Sequence, residues 1–254
     1  MTDEGYGRDM GDEAAGAIRD RPPDPLAPID PDAPVSGHQP APAPVPASSL
    51  PERDWDTARR SVFPILRPVG TTGAAADVPL DPSTAGTRDH NEPLISPGPC
   101  SLVVGFVLPS SGFDVMVNGD HLLSWGISAD DLAAAAGANL ATWSASVGWS
   151  DETSGERRLL GSDSGDGHDA TRILLPPVRE WLTRELAGSA PAGTRVLVGL
   201  PERHLLIAGA LRPDDPEFVA LFRDFVVESS GNAEEPIDRR VFELLKGELV
   251  EFEA

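Results

Sequence analysis

Apolar positions along this chain fall into short runs divided by Gly, Pro and acids, and the spacing within each run predicts an element. Leu102-Val103-Val104-Gly105-Phe106-Val107-Leu108 and Phe113-Asp114-Val115-Met116-Val117 read as two strands, with Pro109 to Gly112 as the hairpin turn between them. Thr194 to Leu200 and His204 to Ala208 are almost continuously apolar, which suits strands covered on both faces. Pro201-Glu202-Arg203 is too short for a crossover helix, so these two are antiparallel neighbours. Ile237 to Leu245 and Leu249 to Phe252 close the chain as a hairpin turning at Lys246-Gly247.

Helical spacing is equally plain in places. Ser128 is an N-cap with Asp131 as the capping-box acid, and Leu132, Ala135, Ala136 and Leu140 line one face of the helix that follows. From Asp214 to Glu228, Phe218, Leu221, Phe222 and Phe225 form an apolar stripe, with Asp214, Asp215 and Glu217 at the positive end of the dipole. A third helix runs from Asp169 toward Leu186 and a stop at Gly188, and Pro176-Pro177 must kink it or split it in two. Shorter pieces are a helix over Asp54 to Phe63 with Trp55, Ala58 and Val62 on one side, and extended segments at Phe63 to Arg67 and at His121 to Leu123. Ser144 to Trp149 and Arg157 to Leu160 are expected as paired strands around the turn Asp151 to Gly155. The sum is an α+β domain over residues 52–254, a mostly antiparallel sheet covered by about three helices.

Two stretches have no such period. Residues 1–51 carry ten prolines between Pro22 and Pro46 and too little apolar surface to offset ordering, so a disordered Pro-rich N-terminal arm is expected. Residues 70–99, rich in Gly, Pro, Thr and Asp, read as a mobile insertion without regular structure.

Charge narrows the partners. Against 20 Lys and Arg stand 41 acidic residues, a net charge of −21, which repels phosphate backbones and anionic lipid. Nucleic acid and membranes are therefore not expected as partners, and an unidentified protein partner is. The lone Cys100 excludes an internal disulfide and a Cys-based zinc site. Met1 to Asp12 is acidic where a signal peptide needs a basic start, and no run reaches the roughly 18 apolar residues of a membrane span. The expected compartment is the cytoplasm. Lys246 is the single Lys, and Ala, Gly, Pro and Arg abound, a composition typical of a GC-rich bacterial genome.

The candidate chemistry gathers in one segment. Asp163, Asp166, His168 and Asp169 are the densest set of metal-capable side chains, yet Gly165 and Gly167 stand where a calcium loop continues with acids. A turn leading into a capped helix accounts for all four, with Asp169 accepting from the first free N–H groups, so no metal and no cofactor is expected. If Asp169 is such a cap, Asp169→Asn is nearly silent. Arg172, one turn on, either pairs with Asp169 at the helix surface or joins the helix N-terminus in gripping an anion. The ion pair is preferred, because Asp169 competes for those same donors. Glu202 and His204 flank a tight turn and could act as an acid/base pair, but no G-x-S-x-G elbow accompanies them. Cys100 has no evident basic neighbour, and His90 with Glu92 lies in the insertion; neither is given a role. No catalytic residue is assigned. Asp166, Asp169, Arg172, Glu202 and His204 are kept as candidate ligand-binding residues.

Asp166-Gly167-His168-Asp169-Ala170-Thr171-Arg172-Ile173-Leu174 resembles a segment of the YtpQ-like proteins, a bacterial family of unknown function (domain of unknown function 1444), in which Asp-Gly, an aromatic, Asp-Ala, Ser or Thr, and Arg-Ile-Leu follow one another. Val62-Phe63-Pro64-Ile65-Leu66-Arg67 and Val198 to Leu206 are similar to two further family segments, so the likeness spans roughly residues 58–254. His168 stands where the family has an aromatic, and His204 where it tends to have Asp. The resemblance implies a cytoplasmic bacterial protein with no established activity. Two functions are weighed: a non-catalytic interaction or regulatory module, which is preferred, and a small-molecule or metal-dependent hydrolytic enzyme using the Asp163–Arg172 region. A pocket joining these side chains favours the enzyme, and a flat surface the module.

Overall fold

The computed structural model describes residues 54–77, 79–110 and 113–253, and the statements that follow concern those residues. The Pro-rich arm of residues 1–51 lies outside them. The fold is α+β, with two mostly antiparallel sheets where the apolar runs imply one. The first sheet is built from β1 (Phe63–Arg67), β2 (Ala74–Ala75), β3 (Leu94–Pro97), β4 (Val103–Ser110) and β5 (Phe113–Met116), in the order β1-β4-β3-β2 with β5 also on β4. The second holds β6 (Ser150–Ser154), β7 (Arg157–Ser162), β8 (Arg195–Glu202), β9 (Leu205–Leu211), β10 (Val241–Leu245) and β11 (Glu248–Glu251), in the order β11-β10-β8-β9-β7-β6.

The uninterrupted apolar runs of β8 and β9 do occupy the middle of a sheet, and both faces are covered. On one face Val198, Leu200, Leu206 and Ala208 join the main core with Leu66 and Phe106 of the first sheet. That core also takes Ala58 of α1 (Trp55–Ala58), Leu132 and Ala136 of α4 (Ala129–Ser146), and Leu182 of α5 (Pro176–Ala187). On the other face Leu197 and Ile207 pack under Phe218, Phe222 and Val226 of α6 (Phe218–Asn232). That approach is close because β8 and β9 present Gly199 and Gly209 there; a Cβ at Gly209 would meet the Phe218 ring at 2.8 Å. The closing hairpin turns where expected, with Lys246 and Gly247 both at positive φ (53° and 81°), the geometry of a two-residue turn that matches strand twist.

Four expectations need correction. Residues 70–99 carry regular structure: β2, β3 and α2 (Arg88–Asn91), with Leu94 buried and β3 paired to β4. Pairing to β4 outside the segment holds β3, and β3 holds β2, so no local period announces them. His121 to Leu123 lie in helix α3 (Gly119–Trp125), because Asn118 and His121 form a reciprocal cap and Gly126 supplies a left-handed stop. Ser144 to Ser146 finish α4 instead of starting a strand, and the hairpin partner of β7 is the all-polar β6. The helix predicted from Asp214 begins at Phe218, since Asp214 and Asp215 are drawn aside by Arg212 and Arg157. Its buried face is Phe218, Phe222, Val226 and Ser230, leaving Leu221 and Phe225 at 53% and 48% exposure. Among the described residues no helix is long and apolar enough to cross a membrane.

Candidate functional site

The Asp163 to Asp169 loop joins β7 to a 3-10 turn at Ala170–Leu174, and Pro176 then restarts the chain as α5, so the predicted helix is split. Asp169 does not cap it. Its backbone is already helical, its side chain makes no cap bond, and it is fully buried. The carboxylate instead accepts from Ser162 Oγ, from Ser164 N at 3.1 Å and from Ser164 Oγ at 2.8 Å, folding the loop back over itself. A cap and a buried acceptor use the same residue type. Here the serines on the strand side reach the carboxylate before the turn's own N–H groups do.

Arg172 is also inside, only 2% exposed, and not on a helix surface. Nε donates to Ser144 Oγ (3.0 Å), Nη1 to Ser162 Oγ (2.8 Å) and the Gly148 carbonyl (3.3 Å), and Nη2 to the carbonyls of Ser144 (2.9 Å) and Val147 (3.2 Å). A guanidinium has five N–H donors, and all of them are occupied. Three of the acceptors are carbonyls in or just beyond the last turn of α4, groups that a helix leaves unpaired at its C-terminus. The cation lies over the Trp149 ring at 4.1 Å and near Trp143 at 5.7 Å. Burial pushes Arg172 down to about 10, against the pull of the Asp169 charge, so it remains charged at neutral pH. Ser162 Oγ, receiving from Arg172 and donating to Asp169, connects the two charges.

His168 is 5% exposed, stacked on Phe63 with centroids 4.0 Å apart and edge-on to Trp143 at 5.4 Å. Its Nδ1 is buried with no hydrogen-bond partner among the described residues. Burial, then the Arg203 cation, lower its pKa from 6.5 to about 4, so the ring is neutral at pH 7.

The remaining candidates are distributed over two clefts. Asp166 is exposed, accepts from Trp143 Nε1 at 3.1 Å, and shares a polar cleft of about 760 Å³ with Arg67, Asp114, Arg203, His204 and Glu235. Asp163 lines a separate, largely apolar cleft of about 550 Å³. Glu202, half-buried at the end of β8, pairs across the turn with Leu205 and bridges Pro236, and lines neither cleft. The structure thus brings Asp166 and His204 to one space, and keeps Asp169 and Arg172 out of it.

Arg203 is the residue that sequence reading passed over. Nε donates to the Gly167 carbonyl at 2.9 Å, Nη1 to Glu235 at 3.2 Å, and Nη2 to Asp114 of β5, so one side chain ties the loop and both sheets together. Gly167 takes φ +79°, where other residues are strained, and a Cβ there would stand 2.9 Å from the Arg203 Nε. An Arg at the tip of a tight turn between two apolar strands was the available signal. Cys100 donates to the Leu249 carbonyl, and its burial raises the thiol pKa despite the neighbouring Arg240 cation. Among the described residues no three His, Cys, Asp or Glu side chains gather as a metal site.

Compared with family models, curated proteins and solved structures, the chain matches none.

Two outcomes follow from this geometry. Asp169→Asn removes the charge that balances a buried cation and replaces one acceptor by a donor, so it should cost about 3 kcal/mol in urea unfolding, close to Asp169→Ala. A nearly silent Asn would reinstate the capping account. His168, whose folded pKa is depressed, contributes stability above pH 6.5 that is lost as pH falls toward 4, because the unfolded chain then binds a proton that the folded one refuses. The stability of the wild type relative to His168→Phe should therefore fall by about 3 kcal/mol between pH 7 and pH 4. Parallel stability curves for the two proteins would contradict it.

Proposed function

We propose that this chain is a non-catalytic interaction or regulatory module, related to the YtpQ-like domains that its Asp166–Leu174 segment resembles. One observation carries the reading: every N–H donor of Arg172 is already spent on α4, β7 and the segment between α4 and β6. An arginine in that state has nothing left with which to grip a carboxylate or a phosphate. Asp169 is engaged in the same way by Ser162 and Ser164. The Asp-to-Arg segment on this account is a fold-building motif, and the resemblance reflects a shared way of anchoring a helix end. The partner is a protein of the bacterial cytoplasm, since the net charge of −21 opposes nucleic acid and anionic membrane.

The hydrolytic alternative retains one supporting observation, the polar cleft that holds Asp166 and His204 beside Arg67 and Arg203. It is tested with chromogenic carboxylic and phosphate esters, with and without Mg²⁺, Mn²⁺ or Zn²⁺. The module reading expects the same background rate for the wild type and for the Asp166→Ala/His204→Ala double variant, and a melting temperature unmoved by chelator. Turnover that disappears in the double variant while its melting temperature is kept would overturn the module in favour of the enzyme.

A further inference from the structure

We infer that the cleft between α6 and the β7–β6 edge of the second sheet is a docking groove for a basic amphipathic helix of a partner protein. The inference rests on the interaction-module reading and gives it a surface and a partner chemistry.

The groove arises from a mismatch of widths. Six strands spaced about 4.8 Å apart make a sheet roughly 24 Å across, whereas one helix with its side chains covers about 10 Å. On this face α6 packs mainly over β8 and its neighbours, with Phe218, Phe222 and Val226 on Leu197 and Ile207. Toward β7 and β6 the face has no second helix among the described residues, and the cleft of about 550 Å³ opens there. Leu159, Leu205 and Ile207 supply its apolar lining from the sheet, and Leu221 and Phe225, the two stripe residues that α6 leaves about half exposed, supply it from the helix. A second helix laid beside α6 would cover both, as apolar anchors at helical spacing do in a groove.

Charge selects the occupant. Glu152 and Asp163 stand at the groove, both exposed, and neither carboxylate has an ion pair or hydrogen bond among the described residues. Among the described residues the one cation lining it, Arg157, is neutralised by Asp215, with Nη2 to Oδ1 at 2.8 Å. The groove is therefore apolar with an acidic rim. A second copy of this chain would bring the same two acids and a further net charge of −21 against it, and an anionic membrane would be repelled in the same way. A helix with Lys or Arg along its polar face meets both the lining and the rim.

The test uses the full chain and a synthetic peptide of about 18 residues, with Leu at helical spacing on one face and Lys on the other. Its controls are a scrambled peptide of identical composition and a Leu/Glu analogue. The expected result is one-to-one binding with a gain of helical circular dichroism, absent for both controls. Leu221→Gln/Phe225→Gln should weaken it at least about tenfold, and Glu152→Lys/Asp163→Lys by several-fold with loss of its salt dependence. All four positions are exposed, and melting curves verify that the variants fold. A spin-labelled peptide that broadens the amide signals of Leu159 and Ile207 locates the site without any substitution. Binding that the scrambled peptide reproduces, that Leu221→Gln/Phe225→Gln leaves unchanged, or that adds no helix would overturn the proposal. So would no binding at all, or a concentration-dependent dimer that Leu221→Gln/Phe225→Gln abolishes. A chain that ignores the peptide and turns over no ester loses the groove and keeps the module; ester turnover removes the module itself.

Discussion

A guanidinium buried to 2% exposure is the constraint on which this domain turns. Removing such a cation from water is costly, and the cost is offset only where every donor is met and an opposite charge stands near. Arg172 satisfies both conditions by drawing on three pieces of chain. The end of α4 supplies unpaired carbonyls, β7 supplies Ser162, and the loop supplies Asp169 behind that serine. Trp149 closes over the cation, where a desolvated contact of this kind contributes about 2 kcal/mol. One side chain thus joins the end of α4, the end of β7 and the loop that follows it.

Arg203 repeats the principle at the junction of the two sheets. It holds Asp114 of β5, Glu235 and the Gly167 carbonyl at once, so the loop that carries Asp169 is pinned from both sides. Together the two arginines turn the most polar stretch of the chain into scaffold. Beside the scaffold, among the described residues, lie a polar cleft above Arg203 and an apolar one beyond the reach of α6. Glu152 and Asp163, two acidic groups that neither arginine uses, fall at the second.

Elements written in local chemistry could be read from the sequence. The Ser128–Asp131 capping box, the apolar β8–β9 pair and the Lys246-Gly247 turn each depend on residues within a few positions of one another, and each is found where its pattern puts it. Asp169 was not legible, because Asp before a turn of helix serves a cap and a buried acceptor equally well. The choice between them is made by Ser162 and Ser164, which both donate to its carboxylate in the folded chain. For Arg172 the decisive partners lie 24 to 28 residues away, at Ser144, Val147 and Gly148. A like limit hid β3, which is held by Gly105 and Val104 across the sheet and by no period of its own. For α6 the stripe itself was correct, but the sequence contains no statement of how much sheet lies beneath it, so Leu221 and Phe225 read as core.

The claim that the Asp-to-Arg segment is scaffold and not a ligand site is tested most directly at the Arg172 side chain. Its Nε–H, assigned by its loss in the Arg172→Lys spectrum, should give a sharp ¹H–¹⁵N signal at neutral pH with slow solvent exchange, unmoved by excess phosphate or acetate. A signal that is lost to fast exchange, or that shifts as either anion is added, would contradict the account, because it would mean that the guanidinium has donors to offer.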